Sequence, residues 1–378
     1  MKVAIFGGSF NPVHNEHINI VKAAIKCLSL DKVIIMPSNI TPAKNGRMFA
    51  NAADRLNMCK LAFADVPQTV VSDFEISNSG ISYSYITCRE FKESYPDSER
   101  YFIIGGDSLE NFNDWKYPEE ILKCVTLAVC ARGDEKRLKK AEDDFYSRFG
   151  KRVKEFDYIG KNISSTRIRA RAALGESLEG CVSRDVEKYI TDNSIYLIEC
   201  VKKIKKSLSE FRWNHTVGVA VMAAENCTRY EVSERDAVLA ALLHDCGKEM
   251  PQGDALLLGC NIPSDVPPPV IHQFTSAYLA EHVYGIKDID VLNAVKYHCS
   301  GRENMTPIEK LVYLSDMLEE GRDYDGVQKM RDIFEKDKEE ALYYALERQL
   351  QRLNSSGFPV YVLTQKAYDY LKEHRNDK

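Results

Sequence analysis

The clearest chemical signal in the first half of the chain is a glycine turn followed by two histidines. The apolar run VAIF leads directly into the turn residues Gly7, Gly8, Ser9 and Phe10. His14 and His17 follow, where a helix is predicted to begin. A strand, a glycine turn and a helix N-terminus expose backbone N–H groups to an anion. Because positions three apart share one helix face, both imidazoles can meet one ligand, and the segment predicts a phosphate-binding site.

A second polar segment, ISSTRIR, lies far downstream. Ser165 and Thr166 precede Arg169 at the predicted start of another helix. Hydroxyls and N–H groups at a helix N-terminus bind phosphate as readily as they cap the helix. A capping motif alone would indicate no function. With arginines beside it, the segment indicates a triphosphate.

The second half of the chain contains histidines and carboxylates that could bind a metal. The candidate ligands are His215, His244, Asp245, His272, His298 and Asp316. Imidazole is the commonest protein ligand for metals near neutral pH, and carboxylates add oxygen donors. The alternative is a set of unrelated core or surface histidines. The apolar surroundings AALLHDCGK favour a metal, because a buried His-Asp pair without a partner is costly.

Two periodic patterns position these residues. Up to about residue 196, helical segments alternate with the β-rich runs VAIFGGS, KVIIMPS, TVVSDFEI, RYFIIGGD, TLAVCARG and RVKEFDY. Such alternation predicts a parallel α/β sheet. From about residue 199 onward, helical periodicity alone remains. We therefore predict an α/β domain over residues 1–197 and an all-helical bundle over residues 198–378, with no Pro/Gly-rich spacer between them.

Composition narrows the class of protein. A chain of 378 residues, 44% hydrophobic and 28% charged, is typical of a soluble two-domain protein. The net charge of −5 provides no field that would attract nucleic acid. The apolar stretch at the N-terminus is too short for a signal peptide or a membrane span. The 11 cysteines include no CxxC pair, so we expect free thiols in the cytoplasm, with a homo-oligomer left open.

The first half resembles the bacterial nicotinate-nucleotide adenylyltransferases, a group of nucleotidylyltransferases with an HxGH-type motif and an ISSTxIR motif. The resemblance runs to about residue 196 and includes GGSFNPVH, PAK, DRLNM, SYS, IIGGDSLENFNDW, LAVCARG and ISSTRIR. It implies a Rossmann-like domain that joins ATP to nicotinate mononucleotide and releases pyrophosphate. Mg²⁺ would be required, and no covalent enzyme intermediate would form. Catalysis would depend on positioning and charge stabilisation.

The resemblance also implies roles for single residues. His14 and His17 would donate to the developing charge on the ATP phosphates. Trp115 would stack on the pyridine ring, and the backbone near Tyr83 and Ser84 would contact the carboxylate of nicotinate. The other implied substrate-binding residues are Gly7, Gly8, Ser9, Phe10, Lys44, Ser82, Gly105, Asp107, Arg132, Ser165, Thr166 and Arg169.

One residue departs from the family motif. Glu16 stands between His14 and His17 where the motif usually has glycine. A glycine at this position allows the backbone to approach a phosphate closely. A charged side chain here therefore affects the geometry of phosphate binding. We expect Glu16 to point away from the ligand and to complement the helix dipole from the first turn.

The second half resembles the HD-domain phosphohydrolases, and among them the bacterial enzymes that split diadenosine tetraphosphate symmetrically into two ADP. RWNHT, LLHDCGKE, VIHQ, YHCSG and LSDMLEEGR carry this resemblance. It implies a hydrolase with two divalent metal ions, with iron as the suggested metal and manganese as an alternative. Asp245 and Lys248 would act in catalysis, and Arg322 would neutralise phosphate oxygens. Cys299 and Ser300 stand where the family commonly has threonines. This difference affects how a substrate would fit the site.

Two alternatives stay open. The first half could be another nucleotidylyltransferase with the same motif, such as a pantetheine-phosphate adenylyltransferase or a cytidylyltransferase, although Trp115 and the SYS segment favour nicotinate. The second half could be a non-catalytic HD module that binds a nucleotide and regulates the first half or mediates dimerisation. The presence of all six ligand positions favours a working site. The expected protein is an α/β Rossmann-like nucleotidylyltransferase domain followed by an all-α HD-domain helical bundle.

Overall fold

The chain forms two compact units. The computed structural model describes residues 1–39, 48, 50–78, 82–131, 135–158, 160–161 and 163–375. Apart from Met48, the described residues up to Arg169 form the first unit together with Ser177–Ile195. The second unit contains Ala170–Glu176 and the chain from Tyr196 onward.

The first unit is built on a six-stranded sheet whose neighbouring strands are all parallel, which confirms the predicted α/β class. The strands are β1 (Lys2–Gly8), β2 (Lys32–Pro37), β3 (Thr69–Val71), β4 (Glu99–Gly105), β5 (Thr126–Ala131) and β6 (Lys154–Asp157). The accompanying helices are α1 (Asn15–Leu28), α2 (Ala52–Phe63), α3 (Phe74–Ser77), α4 (Ser84–Ser94), α5 (Gly106–Glu110), α6 (Pro118–Leu122), α7 (Glu135–Phe149), α8 (Ser165–Ala173) and α9 (Arg184–Asp192). The last residues of α8, from Ala170 on, belong to the second unit.

The sheet is apolar on both faces, as parallel sheets require. Val3 and Ile5 point to one face of β1, Ala4 and Phe6 point to the other, and all four are buried. One face packs against apolar side chains of α4, α5, α6 and α7. The strand order is β3-β2-β1-β4-β5-β6, so the order reverses between β1 and β4. In open α/β sheets, ligands bind outside the carboxyl ends of the strands at such a switch point.

β3 is shorter than the sequence pattern predicted. The run TVVSDFEI forms a strand only over Thr69–Val71, and Phe74–Ser77 is a helical turn. Ser72 N–H still donates to Ile35 O at 2.9 Å. The Ser72 hydroxyl, however, accepts from Phe74 N–H at 3.2 Å. This side-chain bond favours a turn over continuation of the strand.

The second unit is helical, as predicted. Its helices are α10 (Val201–Ser207), α11 (Glu210–Asn226), α12 (Glu234–Leu243), α13 (Gln252–Leu257), α14 (Ile271–His282), α15 (Ile289–Tyr297), α16 (Pro307–Leu318), α17 (Val327–Lys336), α18 (Lys338–Ser355) and α19 (Val362–His374). α11 and α12 are in contact, and alanines on their buried faces allow close approach. No helix in the described part of the chain is long and apolar enough to span a bilayer.

The turn that follows α12 packs tightly against α14. A Cβ atom at Gly247 would lie only 2.8 Å from Ser276 N and 2.9 Å from the carbonyl carbon of Thr275. Gly247 N–H donates to Ser276 Oγ at 3.0 Å. Because the obstructing atoms are mostly backbone, a side chain at this position requires the two segments to separate.

Gly247→Ala should therefore lower the free energy of unfolding by about 1–3 kcal/mol, the usual cost of overpacking. Thermal unfolding of the full chain measures the effect. Gly253→Ala in α13 is the matched control, because no atom of the described residues lies within 4 Å of its Cβ position. This control should leave Tm unchanged or raise it slightly. Equal Tm values for the two variants would contradict the tight packing.

Candidate functional site

The predicted phosphate-binding turn lies at the switch point of the sheet. We call the residues there the switch-point site, and they are Gly7 and Gly8 at the end of β1, Ser9 and Phe10 after it, Gly105 at the end of β4, and Asp107 in α5. The two strand ends are adjacent because β1 pairs with β4 in parallel. The fold thus brings together two segments that are distant in sequence, at the edge where such sheets bind nucleotides.

The two predicted histidines meet at the start of α1. His14 is the N-cap, and its ring stacks on that of His17 with centroids 3.6 Å apart. The backbone N–H of His14 donates to His17 Nδ1 at 3.1 Å. Because Nδ1 accepts this bond, the neutral His17 ring carries its proton on Nε2. Nε2–H is therefore a donor suited to an anion at the helix N-terminus.

The ISSTRIR segment reaches the same loop. Ser165 Oγ donates to Pro12 O at 3.5 Å, across 153 residues of sequence. Arg169 donates to Asn11 O at 2.7 Å and to Thr166 Oγ1 at 3.0 Å. Only 2% of Arg169 is exposed, so its guanidinium ties the start of α8 to the loop between β1 and α1. The hydroxyl-rich start of α8 is thereby linked to the loop that leads into α1.

The SYS segment begins α4. Ser82 Oγ accepts from the backbone N–H of Asn39 at 3.0 Å, which links the segment to the loop after β2. Tyr83 is the N-cap and Ser84 is the first residue of α4.

Two predicted substrate-binding residues lie outside the described residues, namely Lys44 and Arg132.

Trp115 lies near the SYS segment. Its half-buried ring packs against Phe102 and Phe112, with centroids 5.9 and 5.2 Å apart. The next residue, Lys116, places Nζ 4.2 Å from the centroid of the Tyr83 ring. The two segments predicted to contact the pyridine ring and its carboxylate are therefore neighbours.

Arg55 holds the loops around the switch-point site, a role that the sequence analysis did not assign. Its side chain on α2 is buried. The guanidinium donates to the backbone carbonyls of Ser9, Ser38, Asn39 and Ala50. The DRLNM segment was the only feature of the sequence that drew attention to Arg55. No local pattern distinguishes an arginine that faces distant carbonyls from one on a solvated helix face.

The six predicted metal ligands of the second unit form one group, which we call the His/Asp cluster. His215 lies on α11, His244 is the C-cap of α12, His272 is in the first turn of α14, His298 is the C-cap of α15 and Asp316 is near the end of α16, while Asp245 follows His244. The cluster is assembled from five helices.

Hydrogen bonds fix the orientation of the imidazoles. Nδ1 of His244 lies 2.6 Å from Ala241 O, and Nδ1 of His298 lies 2.7 Å from Val295 O. A proton on each Nδ1 satisfies these carbonyls and leaves the Nε2 lone pair directed into the cluster. Metal-ligating histidines are usually oriented in this way.

The ligand atoms are close enough to share cations. Nε2 of His272 and His298 lie 3.2 and 3.4 Å from Asp245 Oδ1, and 3.0 Å from each other. Asp245 Oδ1 is buried and has no hydrogen-bond partner in the described part of the chain. The described residues give two groups of possible ligands, His215–His244–Asp245 and Asp245–His272–His298. Lone pairs at these distances repel one another, so the donor set fits divalent cations with mixed nitrogen and oxygen ligands.

Three basic side chains border the cluster. Arg212 donates to Asp245 Oδ2 at 2.7 Å. Lys248 Nζ lies 3.0 Å from His272 Nε2. Arg322 donates to the Asp316 carboxylate and lies 3.2 Å from His215 Nε2. These groups can compensate the negative charge of a phosphate substrate, and Lys248 and Arg322 were predicted from sequence while Arg212 was not.

Four of the six groups have protonation states that suit cation binding. Hydrogen bonds with Asp316 and Glu319 instead raise the pKa of His215, against the effect of burial. Burial lowers the pKa of His244 and of His272 to about 4, so both rings are neutral near pH 7. Burial opposes ionisation of Asp245, but the neighbouring imidazoles outweigh it and hold its pKa well below the usual value. The pKa of Asp316 is likewise lowered, against burial, by its hydrogen bond with His215. Neutral imidazoles and ionised carboxylates are the protonation states in which histidine and aspartate bind metal ions.

Glu319 supports His215 from outside the cluster, and the sequence analysis did not identify this role. Its Oε1 lies 3.1 Å from His215 Nδ1. Gly218, three residues after His215 on α11, makes room for this carboxylate, because a Cβ there would lie 2.3 Å from Glu319 Oε2. Gly218 was the only feature of the sequence that could have indicated a close contact here. The residues around it do not show which distant side chain fills the space.

Comparison with known proteins agrees with this geometry. The Cytidylyltransferase-like family matches residues 5–171, and the HD domain family matches residues 212–321. A "Probable nicotinate-nucleotide adenylyltransferase/Ap4A hydrolase" of Mycoplasma genitalium is 29% identical over 85% of this chain and 88% of its own length. A "Probable nicotinate-nucleotide adenylyltransferase" of Clostridium botulinum is 34% identical over 51% of this chain and 98% of its own length.

Among solved structures, a "predicted HD superfamily hydrolase involved in NAD metabolism" from Clostridium acetobutylicum is 30% identical, with a TM-score of 0.44, over 46% of this chain and 97% of that one. The fold and the two sites define a nucleotidyltransferase that also carries a metal-binding domain of a hydrolase family. The chain belongs to the nicotinate-nucleotide adenylyltransferase family, with an HD domain in its second half.

Glu319→Gln should weaken the binding of Mn²⁺ by about tenfold, because outer-shell partners of ligating histidines typically contribute 10–100-fold to affinity. Calorimetric titration of the metal-depleted full chain measures the change. Glu335→Gln is the matched control, since this side chain is exposed on α17. A Glu319→Gln variant that binds Mn²⁺ as tightly as the control would show that the carboxylate does not support His215.

Proposed function

We propose that residues 1–197 form a domain that transfers AMP from ATP to nicotinate mononucleotide, giving nicotinate adenine dinucleotide and pyrophosphate. The observation that carries the proposal is the convergence of the glycine turn, the histidine pair and the ISSTRIR helix at the switch point. The names of the relatives from Mycoplasma genitalium and Clostridium botulinum support the choice of acceptor.

The side chains would act by positioning and by neutralising charge. The N-termini of α1 and α8 would direct N–H groups toward the triphosphate, and His17 Nε2–H would donate to the oxygens on which charge develops. Ser165, Thr166 and Arg169 would hold the triphosphate, and Lys44 would add a phosphate contact. Arg132 would also belong to the substrate-binding residues. Asp107 would accept from nucleotide hydroxyls, and Trp115 would stack on the pyridine ring.

Mg²⁺ would enter this domain with the nucleotide. The groups of three or more possible ligands found among the described residues all lie in the second unit. Mg²⁺ is commonly held by one or two carboxylates and by substrate phosphates, so a preformed protein cage is not required. When bound, it would offset charge on the phosphates.

The test is the transfer of AMP by the full chain, followed as pyrophosphate release and dinucleotide formation from ATP and nicotinate mononucleotide. His17→Ala should lower kcat/KM by about 100-fold, the cost of losing one donor to a developing charge. His282→Ala, which changes an exposed histidine, should leave kcat/KM unchanged. Pyrophosphate release only with another acceptor, such as pantetheine phosphate, would overturn the assignment.

We further propose that residues 198–378 hydrolyse diadenosine tetraphosphate symmetrically to two ADP at a dinuclear metal centre. The observation that carries this proposal is that two ligand groups share one residue, Asp245. Two bound divalent cations, with iron as our first choice, would supply activation of water and charge neutralisation. Lys248 and Arg322, beside the cluster, would neutralise the phosphate oxygens of the substrate.

Asp245→Asn should lower the release of ADP from diadenosine tetraphosphate by at least about 100-fold, because both cations would lose a shared anionic ligand. ADP release and metal content of the full chain are measured together. AMP transfer to nicotinate mononucleotide should be unchanged, which shows that the chain is folded. A wild-type chain without bound metal and without ADP release would leave the HD domain as a regulatory, nucleotide-binding module.

A further inference from the structure

Glu16, which stands in the glycine position of the histidine motif, is almost completely enclosed. It is the second residue of α1, and only 1% of it is exposed. A carboxylate in this environment is costly unless hydrogen-bond donors replace the water it has lost. The hydrogen-bond donors around Glu16 therefore explain how the protein accommodates this buried carboxylate.

The donors come chiefly from the chain just before α8. Glu16 Oε2 accepts from the Tyr158 hydroxyl at 2.9 Å and from the backbone N–H of Lys161 at 2.8 Å. Glu16 Oε1 accepts from Asn19 Nδ2, one turn along α1, at 3.2 Å. Hydrogen bonds to an ionised acceptor are stronger than those between neutral groups. The sequence analysis expected Glu16 only to complement the helix dipole, whereas it bonds to a segment more than 140 residues away.

These bonds link α1 to the segment that leads into α8. Arg169 and Ser165 hold the loop that precedes His14, through Asn11 O and Pro12 O. Glu16 holds the residues that precede Ser165 from the other side of His14. The start of α8 is therefore bonded to the loop before the N-cap histidine, and the segment that precedes α8 is bonded to α1 after it. A glycine at residue 16 has no side chain that could provide the second attachment.

We propose that Glu16 is a positioning residue that keeps the N-terminus of α8 in register with the histidine pair, so that both bind one ATP triphosphate. This inference rests on the proposed adenylyltransferase function. Glu16 itself does not touch the substrate. It acts through Tyr158 and Lys161 on the placement of Ser165 and Thr166. Small displacements of such groups can reduce the rate by up to about 100-fold.

The experiment compares Glu16→Gln with Tyr158→Phe and their combination in the full chain. Glutamine keeps the shape but loses the charge and one acceptor, and phenylalanine removes one donor. Each change should raise KM for ATP about tenfold and leave KM for nicotinate mononucleotide within about twofold, because the residues predicted to bind the pyridine lie on other segments. The effects of the two single changes on ATP binding should be less than additive in the double variant, since both changes weaken one hydrogen-bonded pair.

The affinity for ATP is also measured by calorimetry without an acceptor, so the result does not depend on the proposed acceptor. Glu179→Gln, at an exposed position, is the control and should bind ATP as the wild type does. Unchanged ATP affinity in both Glu16→Gln and Tyr158→Phe would overturn the inference. Equal rises in both KM values with a lower Tm would make Glu16 a stability residue and also overturn it. A wild-type chain that binds ATP but does not adenylylate nicotinate mononucleotide would instead contradict the proposed function.

Discussion

A charge cannot remain buried without partners, and this constraint organises both units of the protein. Removing an ion from water costs several kcal/mol, which hydrogen bonds or opposite charges must offset. Among the described residues of the first unit, the buried charges are Arg55, Arg169 and Glu16. Their partners are mostly backbone groups of distant loops. Each charge therefore fixes the relative position of segments that the strands alone would leave loosely connected.

The second unit responds to the same constraint differently. Asp245 lies among imidazoles, three of which have Nδ1 beside a carbonyl or Glu319, and its Oδ1 has no hydrogen-bond partner among the described residues. The protein supplies part of the compensation through Arg212. The remaining lone pairs converge on one small volume. The first unit satisfies its buried charges internally, whereas the cluster in the second unit is suited to cations from outside.

The two units also share a way of placing functional groups at the ends of regular elements. The switch-point site is built from the carboxyl ends of β1 and β4 and from the N-termini of helices. In the cluster, His244 and His298 are helix C-caps. Element ends carry backbone groups that lack partners within the element, and these groups bind ligands or orient side chains. Strands and helices can thus present polar groups at their ends while their internal hydrogen bonds stay intact.

The sequence by itself determined the fold class of each half and the segments that carry the chemistry. Hydrophobic periodicity reports directly which faces are buried, so the parallel sheet and the helical bundle were both predicted. Glycine turns, the histidine pair and the HD dipeptide were also visible, because their residue types and spacing are local. The end of β3 was predicted wrongly, since the hydroxyl of Ser72 accepts a bond that no hydrophobic pattern reveals. Only the tertiary structure assigned roles to Glu16, Arg55 and Glu319, because a charged side chain on a helix has the same local sequence whether it faces water or distant partners.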